Sequence, residues 1–459
     1  MRRILRYCTL VLGLMLSVSV FAQTIKWRDI YTVKKKDTVF GIANKYKLSL
    51  PELMDANPEM KKEGYVLKKG DTLFIPYAQD DKKTSSAITT LPAIGGKPVV
   101  TGTPTTQSHA VKIGVMLPLH NVDGDGVRMV EYYRGILMAC ETLKQKGIST
   151  DIHAWNVPID ADIRTTLLQE GASKCDVIFG PLYTKQVPAL ADFCKTYGIK
   201  MVIPFSINGD DVDRNKEIFQ VYQSPDRLNE TAIKVFLTRF ANVHPIFVDC
   251  NDSTSRKGNF TFGLRQELER RKINYSITNV NSSIDQFAKA FVPSKQNVVV
   301  LNTGRSPQLT AVLNKLDEFS AKYPGAIISL YGYTEWLMYA KYNLDRFYKY
   351  DTYIPTTFYY NANSAKTIDL ERRYATWFHQ PMQVAMPRFA IIGYDQAMFF
   401  VQGIKTYGKN FTGDRSQTTS YQPVQTPLNF KKTAKGGYRN THFQLVHYTF
   451  NRQIEAINY

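Results

Sequence analysis

Proton transfer near neutral pH is the chemistry of histidine, so the seven histidines of this sequence are the first residues to question about catalysis. His120, His153, His244 and His379 each stand alone in the sequence. The spacings that mark a nucleophile elbow, a zinc-protease helix, a phosphate loop or a dinucleotide turn (Gly-x-Ser-x-Gly, His-Glu-x-x-His, Gly-x-x-x-x-Gly-Lys-Ser/Thr, Gly-x-Gly-x-x-Gly) do not occur. Cysteine offers no metal site either. After Cys8 come Cys140, Cys175, Cys194 and Cys250, with no Cys-x-x-Cys pair and no histidine at ligand distance. Neither a metal nor another cofactor is expected, and the chain reads as one that binds rather than catalyses. Cys175 and Cys194 could bridge in an oxidising compartment, or the four could be buried thiols that fill space as small hydrophobes.

The compartment is suggested by the first residues. Arg2, Arg3 and Arg6, the apolar run from Leu10 to Val20 and the small-residue exit at Ala22 predict a secretory signal peptide over residues 1–22, cleaved before Gln23. That run is shorter than the ~20 residues a spanning helix needs, and no later stretch is long and apolar enough, so no transmembrane segment is expected after cleavage. Cys8 precedes the apolar run, which is too early for a lipid-bearing cysteine. The expected location is the periplasm or the cell wall. With 58 Lys and Arg against 40 Asp and Glu the chain is strongly basic, so anionic surfaces are plausible partners. The bases fall in short separate groups (Lys34 to Lys36, Lys61 and Lys62, Lys68 and Lys69, Lys431 and Lys432) with no zinc-finger or RNP-type pattern, which reads as solvated basic faces and not as a nucleic-acid site.

Residues 78–110 are rich in Thr, Ser, Pro and Gly, carry no hydrophobic period and predict a flexible linker. It separates a short segment, 23–77, from a long one, 111–459. In the long segment short apolar strands alternate with helical patterns: strands at 111–119, 149–157, 175–182 and 200–206, and helices at 129–146, 162–174 and 184–197. The rhythm restarts with strands at 244–250, 274–280, 297–304, 325–332 and 352–360. Alternation of this kind predicts an α/β fold with doubly wound parallel sheets, and the restart predicts a second sheet, hence two lobes. Ligands of such sheets lie beyond the carboxyl ends of the strands, so the cleft between the lobes is the place to seek function.

Residues 30–76 read as a strand, a helix over 38–46, a second helix over 49–56 and a closing strand; Ser49 can cap the second helix, with Pro51 in its first turn. Tyr31-Thr32-Val33, Asp37-Thr38-Val39, Ile42-Ala43, Leu53, Asn57-Pro58 and Leu73-Phe74-Ile75-Pro76 together resemble the LysM family, with Lys36 where that family usually has glycine. The resemblance implies a small βααβ domain that binds the N-acetylglucosamine strands of peptidoglycan or chitin in a shallow groove. It places Asp37, Thr38, Val39 and Phe40 on one wall and Asn57, Pro58, Leu67 and Lys68 on the other. Val39, Ile42 and Leu53 are also expected in the core, and Asn57-Pro58 reads equally well as a turn.

Across 111–459 the opening Ile113-Gly114-Val115, the Gly180-Pro181-Leu182 turn, the helix that contains Gly393-Tyr394-Asp395 and the closing Gly436-Gly437-Tyr438 follow one another in an order that resembles the type I periplasmic binding proteins, the Leu/Ile/Val-receptor-like superfamily. The resemblance implies two lobes that close on a small polar ligand. Carried over by position, Leu119 and His120, Tyr183 and Thr184, and Ser206 and Asn208 line the cleft from the first lobe, with Tyr333 and Glu335 from the second. Thr184 and Ser206 would supply ligand-binding hydroxyls. Tyr183 and Lys185 flank Thr184 where receptors of free α-amino acids favour small residues, a departure that weighs against a standard free amino acid. Asp395 reads better as orienting a helix than as an ammonium partner, and Tyr331 and Tyr333 either meet a ligand or pack. The leading functional expectation is a peptidoglycan-held protein that binds a small polar solute (an amino acid, peptide or wall fragment) for uptake or sensing. The alternative is a non-catalytic envelope interaction protein that regulates peptidoglycan synthesis, as activators of penicillin-binding proteins do with a domain of the same fold.

Overall fold

The computed structural model describes residues 27–76, except 36, 49, 62–64 and 66, and residues 109–459, except 206–208 and 418–420. The expected signal peptide, the linker up to residue 108 and the candidate residues Ser206 and Asn208 lie outside the described residues. The chain divides into two compact units, one ending at Leu91 and the other beginning at Pro92.

In the smaller unit β1 (Trp27–Thr32) pairs antiparallel with β2 (Thr72–Pro76), and the helices Val39–Lys45 and Leu50–Ala56 lie between them in sequence. Thr38 starts the first helix as its extended N-cap, its hydroxyl oxygen accepting the Gly41 N–H at 3.0 Å. Ile42, Ala43, Tyr46 and Leu53 meet Tyr31, Leu73 and Ile75 in one core.

The larger unit opens with β3 (Val111–Leu117), β4 (Thr150–Asn156), β5 (Val177–Phe179), β6 (Lys200–Ile203) and β7 (Ile218–Gln220). It continues with β8 (His244–Asp249), β9 (Ser276–Asn279), β10 (Asn297–Leu301), β11 (Ile328–Tyr331) and β12 (Thr352–Thr356), then β13 (Phe430–Lys432), β14 (Tyr438–Asn440), β15 (Gln444–Tyr448) and β16 (Ile454–Asn458). One sheet has the order β13-β14-β7-β6-β5-β3-β4 and the other β16-β15-β12-β11-β10-β8-β9. The chain therefore passes between the lobes three times, after β7, after β12 and after β14. Strands such as β10, Asn-Val-Val-Val-Leu and buried throughout, have the continuous apolar character of parallel strands covered on both faces. The sheets are parallel at heart, as expected, with antiparallel pairing confined to β13–β14 and β15–β16, where short connections return the chain on itself, and to β12–β15, where the chain returns from the other lobe.

Two local expectations change. The helix expected over 162–174 is two short pieces, Ile163–Leu167 and a 3-10 turn Ala172–Lys174, because Gly171 adopts a φ of +89° between them. The helix expected from 129 begins at Gly124, where the Asp123 carboxylate accepts the Gly126 N–H at 2.8 Å. That helix, Gly124–Gln145, touches the helix Phe389–Tyr407 backbone to backbone: a Cβ on Gly135 would lie 1.8 Å from the Ala390 carbonyl oxygen, and one on Gly393 2.0 Å from that of Tyr132. Cys140, Cys175, Cys194 and Cys250 are all free and buried.

Candidate functional site

In the smaller unit two turns lie hydrogen-bonded side by side. Asp37 accepts the Lys34 N–H and the Tyr31 hydroxyl, each at 2.7 Å. Asp71 accepts the Lys68 N–H at 2.8 Å and the Tyr65 hydroxyl at 3.3 Å. Val33 donates to the Asp71 carbonyl and accepts from the Gly70 N–H, each at 2.9 Å, which ties the turns together. Partial burial opposes ionisation of Asp37 but is outweighed by the Lys34 N–H, the Tyr31 hydroxyl and the charges of Lys45 and Lys34, so its carboxyl is held below the usual value. Burial, then the hydrogen bond to Asp37 and its charge, push the Tyr31 hydroxyl up to about 12. Val39 and Leu67 lean on the same core, which brings the start of the first helix and the segment before β2 together. Phe40, next along that helix, is 66% exposed.

In the larger unit a cavity of about 220 Å3 opens at the carboxyl ends of β11 and β12. Pro225, Leu228, Ala232, Phe260 and Phe443 supply apolar walls, and Asn229, Thr356 and Thr357 supply hydrogen-bonding groups. All three passages between the lobes contribute: Pro225 ends the first, Thr356 and Thr357 begin the second and Phe443 lies in the third. The only charges in the lining belong to Lys257 and Glu335, and they meet each other, Nζ to Oε1 at 2.5 Å. Lys257 Nζ also lies 4.7 Å from the centre of the Tyr333 ring, whose hydroxyl donates to the Leu301 carbonyl.

The passages are held to one another by buried polar groups. Gln223 donates to the His442 carbonyl at 2.6 Å and Asn440 to the Val221 carbonyl at 3.2 Å, joining the first passage to the third. The second is held by Tyr359, whose N–H donates to the Gln425 carbonyl at 2.9 Å. Gln425 is fixed in turn by Asp395, which accepts the N–H groups of Val424, Gln425 and Thr426 at 2.7 to 2.8 Å and the Tyr421 hydroxyl. Burial raises the Asp395 carboxyl to about 6, against the pull of those four donors. Burial pushes the His442 imidazole down to about 4.

Comparison with known proteins relates both units to others. Residues 31–76 match the LysM domain family. No curated protein matched the chain. Among solved structures, a protein described as a branched-chain amino acid ABC transporter from Rhodospirillum rubrum is similar at 14% identity with a TM-score of 0.52, over 76% of this chain and 100% of that one. LivJ of Streptococcus pneumoniae, solved in complex with isoleucine, is 16% identical with a TM-score of 0.35, over 76% and 100%. Full-length LpoA of Haemophilus influenzae is 13% identical with a TM-score of 0.45, over 77% of this chain and 60% of that one. The larger unit has the type I periplasmic-binding-protein fold.

Within the LysM segment Thr38, Phe40, Pro58 and Lys68 are exposed, and Val39 and Leu67 are half-buried. Asn57 is fully buried, its amide donating to the Leu53 and Phe74 carbonyls at 2.8 Å and accepting the Phe74 N–H at 2.7 Å. Its side chain brackets a helix to β2. Asp37 has turned its carboxylate into its own turn. In the first lobe the Leu119 side chain is buried, and its N–H donates to the Asn156 side-chain oxygen at 2.8 Å. His120 accepts the Val122 N–H at 3.3 Å, and Thr184 is exposed at the start of a 3-10 turn. The Tyr183 hydroxyl donates to Asp125 at 3.3 Å and is pushed up to about 12 by burial and then by the charge of Asp125. Tyr333 and Glu335 do share the cavity, but each is engaged within the protein. Tyr331 is fully buried, its hydroxyl on the Ala232 carbonyl. Asp395 lies inside a helix as the anchor of the 421–426 loop, and it neither caps that helix nor reaches the cavity lining. Lys257, Phe260 and Phe443 were missed, since a lysine before a helix and aromatic residues in apolar runs look like solvated and core residues respectively.

Proposed function

We propose that this chain is a non-catalytic envelope protein whose LysM segment holds it on peptidoglycan while the two-lobed unit takes a small ligand in the cavity at the ends of β11 and β12. The observation that carries this reading is the contribution of all three inter-lobe passages to one cavity. A ligand there touches the segments that must bend when the lobes move, so it favours whichever arrangement gives it more contact. The lining bears on ligand class. Its apolar walls and its internally paired Lys257 and Glu335 suit a compact apolar group flanked by hydrogen-bonding groups, as in a peptide or an acylated wall fragment. A free α-ammonium finds its carboxylate already occupied.

The test is a thermal-shift screen of the full chain against free amino acids, their N-acetyl amides, short peptides and muropeptide fragments. A ligand at about 100 times its dissociation constant adds ~2.7 kcal/mol of stability, an easily read shift. N-acetyl amides and peptides are expected to outperform free amino acids, and Lys257→Met, which leaves Glu335 unpaired, is expected to reverse that order for matched side chains. Silence across the library sinks the ligand reading and favours the second one, docking to a protein that builds the wall. That second reading draws on Met338 and Tyr342, 49% and 76% exposed and one turn apart on the helix Trp336–Lys349.

A further inference from the structure

The pattern Lys-Lys-x-Asp-Thr occurs twice in the LysM segment, at Lys34–Thr38 and at Lys68–Thr72. The fold gives both copies the same turn. In each, the aspartate N–H donates to the carbonyl of the first lysine, at 3.2 Å for Asp37 and 3.1 Å for Asp71. In each, the aspartate carboxylate accepts that lysine's N–H and a tyrosine hydroxyl. The acid of each turn is thereby committed to holding the turn, while Lys34, Lys35, Lys68 and Lys69 are all exposed. None of their four ammonium groups has a hydrogen bond or an ion pair among the described residues. Because Val33 bonds to both Gly70 and Asp71, the two pairs of lysines stand on neighbouring turns, and Lys68 borders the candidate glycan site.

We infer that the paired lysine turns form an anion-recognising edge of the LysM segment, fitted to a polymer with closely spaced carboxylates: wall glycan that still carries its peptide stems. The inference rests on the reading that this segment binds wall glycan, and adds which form it prefers. Lysine is suited to the task because its ammonium is a point charge on a flexible stem, able to follow carboxylates whose positions vary from stem to stem. A neutral N-acetylglucosamine polymer offers these groups no counter-charge. Two turns built alike, each with its acid hydrogen-bonded within the turn, leave the four ammonium groups exposed and free of direct ion pairs with those acids.

The experiment is sedimentation of the full chain with purified peptidoglycan sacculi and with chitin, at low and high salt. The parent chain is expected to favour sacculi and to lose that preference at high salt, because exposed charge pairs are screened. Replacing Lys34→Gln, Lys35→Gln and Lys69→Gln together is expected to weaken binding to sacculi about tenfold, the sum of three exposed charge pairs, and to leave chitin binding unchanged. The matching arginine substitutions keep the charge and are expected to restore the preference. Equal loss on both polymers, salt-insensitive binding to sacculi, or equally strong retention on vesicles of anionic phospholipid overturns the inference. A parent chain that binds chitin without preferring sacculi overturns it alone, whereas one that binds neither removes the glycan reading as well.

Discussion

His442 is an imidazole kept neutral inside the third passage between the lobes, and that environment has a consequence in pH. Its pKa near 4 in the folded chain lies below the ~6.5 of an exposed histidine, so between those values the unfolded chain holds the extra proton. Its contribution to stability is complete above about pH 6.5 and is lost, by roughly 3 kcal/mol, as the pH falls to 4. Asp395 works in the opposite sense: its raised pKa near 6 gives stability that is complete below about 3.8 and lost as the pH rises through 6. The wild-type profile therefore mixes the two, and a difference isolates one. The stability of wild type minus that of His442→Gln, measured by urea unfolding, is expected to fall by about 3 kcal/mol between pH 7 and pH 4. A constant difference would mean that water reaches the ring. Single residues were legible where the signal is local, as with Ile42 and Leu53, whose apolar character beside polar neighbours places them in the core of the smaller unit. They were illegible where the partner is distant: the Asp395 carboxylate is anchored by a loop some thirty residues on, and nothing beside it in the sequence announces that loop.

The helices Gly124–Gln145 and Phe389–Tyr407 approach so closely that glycine is required on both. Gly393→Ala would set a methyl group against the Tyr132 carbonyl and force the helices apart. Overpacking against backbone, which cannot rotate away, is expected to cost about 3 kcal/mol or more, read as a lowered denaturation midpoint of the larger unit. Gly180→Ala has a similar obstacle at the Met116 carbonyl, with a φ of +139° in addition. Such contacts join segments far apart in the chain, so no periodicity carries them. Most parallel strands could be read because burial on both faces writes a short apolar run into the sequence, as in β8 and β10. The return strands β13 and β14 could not, being three residues each and partly exposed. The cavity lining was half legible for the same reason: Tyr333 and Glu335 follow a recognisable strand, whereas Phe443 comes from a passage that only the tertiary fold brings near.

The whole molecule divides into two compact units, and damage should respect the division. Asn57→Ala removes three buried hydrogen bonds from the LysM segment and is expected to destabilise it by about 2–3 kcal/mol. In calorimetry of the full chain this should lower one transition and leave that of the larger unit in place; a shift of both would show that the units are energetically coupled. Within the larger unit no such separation exists. The first lobe takes β13 and β14 into its sheet, and the second takes β15 and β16, all supplied by residues after 429. The two lobes are consequently finished by the same stretch of chain. Neither sheet is complete without these strands, so a cut before residue 430 opens an edge on both lobes at once, and damage aimed at one lobe reaches the other through a shared stretch of chain.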